Sequence, residues 1–392
     1  MSDGEGKPRV LVFTFGDSPI CDLRVRAPLT ALFEAGDIAG YTVVYGDARP
    51  VGPQRFDAYD CIWIQRDYFP WLGTLLHERR LPYLLDLDDL ILAMPAYSRF
   101  TPQSDVGHLV AHAAHISFAT PRLRSNCEKY SGHRLDDRSS IVPNALLFPR
   151  EMPVRDTPPS ALMWTSSDMS SLSRSADQVT RAVARFSEQH GLPIYVFGQL
   201  QESVLARLPR LRHFGFVNFW AHKAFLASHP GVIGVSPLET DGDEKTLDFV
   251  DSKSDLKMLE FGGFGHAAVY SRCPPFTETD IRTGAVAENR FDAWYDALHE
   301  AREHAVDADF VRAAEIRRKR AISLIAREAW LPALRGASLP NPIPAREILP
   351  PTPDPNRVPR RYRMVDGPYV FLDRQRHRLR RSLASLARSL GG

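Results

Sequence analysis

Short apolar runs alternate with helix-length segments along most of this 392-residue chain. That alternation limits the possible folds more than any single motif does. Arg9–Phe15, Thr42–Tyr45, Cys61–Gln65, Pro82–Leu87, His115–Ala119 and Ser140–Asn144 read as buried strands. Helices are expected between them, at Asp22–Gly36 and around Trp71–Arg79. Residues 149–160 hold Pro149, Pro153, Pro158 and Pro159 among mixed charges, a linker composition. The alternation then restarts, with strands at Ala161–Thr165, Ile194–Phe197, Phe214–Val217, Val232–Val235, Ala267–Ser271 and Gly284–Glu288. Helices are expected at Ser175–His190 and Phe291–His304, followed by one long charged helix, Asp309–Leu334, packing back toward the first half. Strands alternating with helices make βα units and a parallel sheet. The expectation is therefore an α/β protein of two Rossmann-like domains with parallel sheets facing across a cleft. Residues 1–148 form the first domain, 149–160 the hinge and 161–335 the second, followed by a proline-rich connector at 336–359 and a basic tail at 360–392. Ligands of open α/β sheets bind beyond the carboxyl ends of the strands.

Composition removes several classes. Net charge is +2, so no nucleic-acid partner is expected. Residues 357–392 carry +8, ten arginines against Asp366 and Asp373, which leaves −6 on the rest. Cys21, Cys61, Cys127 and Cys273 are scattered, which suggests neither a zinc site nor a disulfide framework. The start is polar and no apolar run approaches ~20 residues. The expected location is cytoplasmic.

One stretch carries most of the chemistry. In Asp251–Gly265, Lys253, Lys257 and Glu260 are spaced by four and three, which places them on one face of a helix. Leu256, Leu259 and Phe261 fall mainly to the other side, and Gly262, Gly263 and Gly265 end the helix and permit close backbone approach. Two ammonium groups, a carboxylate and a glycine corner suit a nucleoside diphosphate. The alternative is a solvated amphipathic helix with a glycine stop.

This stretch resembles the C-terminal signature of GT-B glycosyltransferases, and within them the retaining family 4. Further points of contact cover roughly residues 9–335. Asp22–Pro28 resembles the acceptor-side loop of a bacterial branch, with Leu23 where Tyr is common, and brings Arg24 and Arg26 toward a phosphate. Leu85–Leu90 matches the Asp-x-Asp-Asp strand end of the same branch. Its Asp86, Asp88 and Asp89 would bind acceptor hydroxyls or assist the nucleophile. Two other roles stay open for these carboxylates: capping the next helix, or holding a divalent ion as in GT-A enzymes. Ser139–Asn144 resembles the close of the family's N-terminal domain. Thr165–Asp168 stands at its phosphate turn, where Ser166 and Ser167 would cradle the donor. Pro237-Leu238 precedes the lysine helix, as in the family. Position 252 is Ser where a first glutamate is common, Ala267 replaces Pro, and His108, His112 and His115 are candidates for the family's catalytic histidine by region alone.

The resemblance implies a nucleotide-diphosphate sugar as donor substrate, no cofactor and no metal. The acceptor would be a glycan, a lipid-linked glycan or a small molecule. Lys257 and Lys253 would stabilise the leaving diphosphate, with Asp88 on the acceptor side as the third catalytic group, and Glu260 would hold the ribose with Gly262 and Gly263 beside it. Two other readings compete: a GT-B-like binding or scaffold protein, and a sugar-nucleotide epimerase. In the tail, Leu379, Leu383, Leu386 and Leu390 form an apolar stripe among arginines. Residues 373–390 are thus a candidate contact with an anionic membrane surface, with self-docking or helix pairing as alternatives.

Overall fold

The computed structural model describes residues 7–16, 18–46, 56–68, 70–95, 102, 105–147, 156–166 and 176–338. Ser167, Asp168, most of the hinge, the proline-rich connector from 339 and the basic tail lie outside the described residues.

The first sheet comprises β1 (Arg9–Thr14), β2 (Gly40–Tyr45), β3 (Cys61–Gln65), β4 (Leu84–Leu87), β5 (His115–Phe118) and β6 (Ser139–Ile141). The pairings between these strands are parallel, in the order β2-β1-β3-β4-β5-β6. The second comprises β7 (Ala161–Ser166), β8 (Ile194–Gly198), β9 (Leu211–Gly215), β10 (Val232–Ser236), β11 (Ala267–Ser271) and β12 (Ala285–Ala287). It is also parallel, in the order β12-β11-β10-β7-β8-β9. In each sheet the order reverses beside the first strand, which creates a switch point where a crevice opens.

Central strands β3, β10 and β11 are buried along their full length, which is why they read as continuous apolar runs. β9 begins three residues earlier than the sequence suggests, at Leu211. Among the described residues it pairs only with β8, and it exposes Arg212 and His213. An edge strand buried on one side need not be apolar, so hydrophobicity mislocates it.

The helices used below are α1 (Ala27–Glu34), α2 (Pro70–Glu78), α3 (Val106–His112), α4 (Pro121–Ser131), α5 (Ala176–His190), α6 (Phe219–Ser228), α7 (Glu244–Asp251), α8 (Leu256–Gly263), α9 (Phe291–Glu303), α10 (Ala313–Lys319) and α11 (Leu331–Gly336). α5 and α9 cover the second sheet with Val179, Val183, Phe186, Trp294 and Leu298. The single helix expected over Asp309–Leu334 is instead several pieces. Arg312 sits at φ 47°, a left-handed conformation that interrupts the first turn. Arg320 and Ala321 leave helical geometry again before Ile322. The last pieces lie on the first sheet. Trp330 packs on Trp63 with ring centroids 4.4 Å apart, and Ile325, Leu331 and Leu334 join Val10, Val12 and Leu84 in one core. The chain thus returns to complete the domain it started from.

Gly198 ends β8 at φ +94°, and a Cβ there would stand 1.8 Å from the Ser166 carbonyl oxygen. Gly198→Ala is therefore expected to cost at least about 2 kcal/mol, seen as a lowered thermal midpoint. An unchanged midpoint would mean that β7 and β8 separate without cost at this point.

Candidate active site

The sequence-derived carboxylates follow β4. Asp86 and Asp88 are buried and Asp89 is half-buried. Arg24 lies in a π-helical stretch, Asp22–Arg26, that leads into α1. Its Nη2 donates to Asp86 Oδ1 at 2.6 Å and its Nε to Asp86 Oδ2 at 3.2 Å. Its Nη1 donates to the Val142 carbonyl at 2.6 Å and to Asn144 Oδ1 at 3.1 Å. The guanidinium also lies 4.7 Å over the Trp330 ring. Only 1% of the Arg24 side chain is exposed and none of Asp86. Asp86 takes a further hydrogen bond from Ser117 Oγ at 2.8 Å. Arg24 and Asp86 are thus enclosed by protein, where the sequence placed them open to an acceptor. Arg26 pairs with Asp22 and donates to Tyr45 Oη at 3.0 Å.

Asp88 and Asp89 do not cap the following helical turn. Both face Arg66, whose Nε donates to Asp88 Oδ1 at 2.5 Å and whose Nη2 pairs with Asp89. Burial pushes the Asp88 carboxyl up to about 6; Arg66 opposes this, and Asp89 and Asp86 add to it. Arg66 holds a left-handed backbone at φ 63°, and sequence reasoning missed it. Positive φ at a non-glycine residue leaves little trace in a single sequence.

The lysine motif is not one helix. α7 ends at Asp251, and α8 begins only at Leu256. Ser252 Oγ donates back to the Asp248 carbonyl at 2.7 Å, a side-chain bond that competes with helix continuation. Lys253 therefore sits in the break and not on the helix with Lys257 and Glu260. Its Nζ lies 4.4 Å over the Phe249 ring and 3.7 Å from Asp89 Oδ1, which links the two halves of the motif set. Ser252, at the position of the family's missing glutamate, is fully buried and accepts from Asn126 Nδ2 of α4 at 2.9 Å. Ser254 accepts from Asn144 Nδ2 at 2.9 Å. The break is thus stitched to the first half of the chain.

Glu260 is 4% exposed. Lys257 Nζ donates to its Oε2 at 3.0 Å, and Lys223 of α6 pairs with its Oε1. Burial alone would raise the Glu260 carboxyl; Lys223 and Lys257 outweigh it and hold the group below the usual carboxylate range. His222 is lowered to about 3, first by burial and then by Lys257 and Lys223, with Glu260 opposing. It stays neutral across ordinary pH, and its Nε2 lies 3.4 Å from Thr165 Oγ1 near the carboxyl end of β7. Lys223 and Glu260 line a narrow crevice with Leu23, Ala145, Phe219 and Leu256.

Gly262 and Gly263 serve packing in this structure. A Cβ at Gly262 would meet Ile316 and Thr283 at 2.5 Å, and one at Gly263 would meet Leu146 at 2.4 Å. Both glycines are buried among protein atoms. Ser166 ends β7 with its carbonyl accepting from Gln199 N at 3.0 Å. His108, His112 and His115 all stand near the amino end of β5 or before it, opposite the strand ends that carry Asp88 and Thr165.

Comparison with protein-family models and with curated proteins finds no match. Solved structures do match in fold. Anabaena Alr3699/HepE, crystallised with UDP and glucose, is 11% identical at a TM-score of 0.53, covering 81% of this chain and 97% of that one. AviGT4, a glycosyltransferase of avilamycin A biosynthesis, is 14% identical at 0.52, covering 84% and 98%. A putative UDP-N-acetylglucosamine 2-epimerase from Listeria monocytogenes is 11% identical at 0.52, covering 82% and 94%. Two parallel six-stranded sheets in this order, matched over nearly the whole of such proteins, give the chain the two-domain Rossmann-like fold known as GT-B.

Proposed function

We propose that the chain is a glycosyltransferase that moves a sugar from a nucleotide-diphosphate donor to an acceptor hydroxyl, with retention and without a metal. The observation that carries this reading is the group Lys223, Glu260 and Lys257 near the carboxyl end of β7. With His222 neutral, two ammonium groups and one carboxylate leave a single positive charge for a diphosphate. Lys223 is 5% exposed and Lys257 29%, so Lys257 is the ammonium that can reach a ligand. An ammonium has three donors, and Glu260 uses one of them. Glu260 then has two tasks: it holds both lysines in place, and its remaining acceptor capacity suits ribose hydroxyls. Ser166 belongs to the same donor side. On the acceptor side, Asp88 and Asp89 are oriented by Arg66, with Lys253 beside Asp89. Arg24 and Asp86 act as a positioning pair beneath them. The acceptor is a glycan, a lipid-linked glycan or a small molecule.

The HepE complex makes UDP-sugars the first donors to test. Purified chain incubated with UDP-glucose and UDP-N-acetylglucosamine, with and without EDTA, is expected to release UDP in both conditions. No UDP release and no calorimetric binding of any nucleotide sugar would sink the reading. Loss of activity in EDTA, restored by manganese, would make Asp88 and Asp89 metal ligands instead. The match to the Listeria protein supports a second reading: conversion of UDP-N-acetylglucosamine to its 2-epimer without UDP release would establish it.

The acceptor-side role of Asp88 predicts a pH dependence. Its carboxyl is raised to about 6, so it is protonated below that pH and ionised above it. If it takes the acceptor proton, kcat/KM falls about tenfold per unit below pH 6 and is level above. Asp88→Asn should remove that limb along with most of the activity. The same shift bears on stability. A folded-state pKa above the unfolded value of 3.8 gives stability that is fully present below pH 3.8 and lost as pH rises through 6.

A further inference from the structure

We propose that His77, His108 and His112 form a binding site for one late first-row divalent cation, zinc foremost, at the end of the first sheet opposite the cleft. The three side chains come from two helices. His108 and His112 are four residues apart on α3 and share one face. His77 is in the last turn of α2. Gly73, one turn earlier on α2, is what lets the helices close. A Cβ there would stand 3.1 Å from Leu109 Cδ2 and 3.9 Å from His108 Cδ2. Asp105 fixes the start of α3 by accepting from His108 N at 3.1 Å. Leu72, Leu76, Val106, Leu109 and Val110 beneath the histidines belong to one buried core, so the scaffold under the rings is rigid.

The geometry suits a metal. One nitrogen from each ring lies within 4.8 Å of the others. Ring centroids are 4.1 Å apart for His77–His112, 4.4 Å for His108–His112 and 5.3 Å for His77–His108. A tetrahedral ion with ~2.0–2.1 Å bonds places its ligand nitrogens about 3.4 Å apart, a closure that small ring rotations supply. His77 and His108 meet edge to face, at an interplanar angle of 76°. Among the described residues the cluster is three imidazoles with no carboxylate, a donor set that selects zinc, copper, nickel or cobalt over magnesium and calcium. The fourth position is left to solvent. His77 and His112 line an open cavity of about 810 Å³ together with Glu78 and Tyr83, so water or an exogenous ligand can complete the shell.

The site is separate from the proposed chemistry. The cavity borders Pro82 and Tyr83, which precede β4, whereas Asp88 and Asp89 follow its other end. A bound ion would tie the end of α2 to α3 and act on stability, not on turnover. Neither the lysine motif nor the acidic strand end takes part.

Untagged, chelator-treated full-length chain titrated with zinc chloride is expected to take up one ion and to gain in thermal midpoint. His112→Ala should weaken binding at least about tenfold, since a three-ligand site becomes a two-ligand one. His77→Ala/His112→Ala should abolish uptake without unfolding the chain, because both rings are exposed. His299→Ala tests a separate imidazole pair on the helices of the second sheet, His190 of α5 and His299 of α9, whose rings are 5.0 Å apart; it should leave uptake unchanged. Cobalt should give the visible absorption of a tetrahedral site, lost in the double variant. Absence of stoichiometric zinc uptake, uptake unaltered in the double variant, or equal uptake of magnesium would each overturn the proposal.

Discussion

Replacing Arg24 with methionine is expected to destabilise the first domain by about 3–5 kcal/mol, the penalty for leaving one member of a buried ion pair unpaired. Asp86 would keep the Ser117 hydrogen bond but lose both guanidinium donors in a site with no exposed surface. Val142 O and Asn144 Oδ1 would lose their donors as well. Trp330 reports the event directly, because Arg24 covers its ring. Urea unfolding followed by the near-ultraviolet signal of the Trp63–Trp330 pair should show a lowered midpoint. Arg24→Met/Asp86→Leu should recover much of the loss, since an apolar pair of similar volume is often no worse than the ion pair. A single variant within 1 kcal/mol of the parent would show that water reaches Asp86 and that the pair is not structural.

Lys257→Ala is expected to lower kcat about 10²–10³-fold with little change in KM, the effect of removing one donor from a developing anion. Charge on the leaving diphosphate grows only as the glycosidic bond breaks, so the contact is worth more in the transition state than in the bound donor. Glu260 would retain Lys223 and so remain ionised and folded. Glu260→Gln should behave differently. It removes the partner of both lysines and raises KM for the donor as well as lowering kcat. Steady-state kinetics on the two variants separates the roles. Turnover intact in Lys257→Ala would remove that lysine from the reaction and pass the task to Lys253 or Arg66.

Most of the twelve strands among the described residues were legible in the sequence, because a buried parallel strand is written locally as a continuous apolar run. The two-sheet plan followed from the alternation and from the proline-rich break near 149–160. Errors came where structure depends on more than one segment. β9 was displaced because an edge strand is only half-buried. The segment after Asp309 read as one helix because its composition is helical throughout. Its breaks coincide with long-range ties: Thr283 Oγ1 donates to the Phe310 and Val311 carbonyls just before Arg312, and Arg320 is held by Asp255, Asp280 and the Asn144 carbonyl.

The candidate site divides in the same way. Lys253, Lys257 and Glu260 could be named from spacing, and Asp86, Asp88 and Asp89 from the resemblance of Leu85–Leu90 to a family strand end, since residues close in sequence on a turn or strand end are close in space. Their pairings could not. Arg24 reaches Asp86 across 62 residues and Lys223 reaches Glu260 across 37. Nothing in the local text of Phe219–Ser228 marks Lys223 as a buried cation. Tertiary structure also changed roles. It enclosed Arg24, Asp86, Gly262 and Gly263 within packed protein, moved Lys253 off the helix, and gathered His77 with His108 and His112 away from the cleft. The sequence by itself determined which segments are strands and which residues carry charge. Only the fold decided which charges are desolvated and paired, because the energy of a charge depends on what surrounds it.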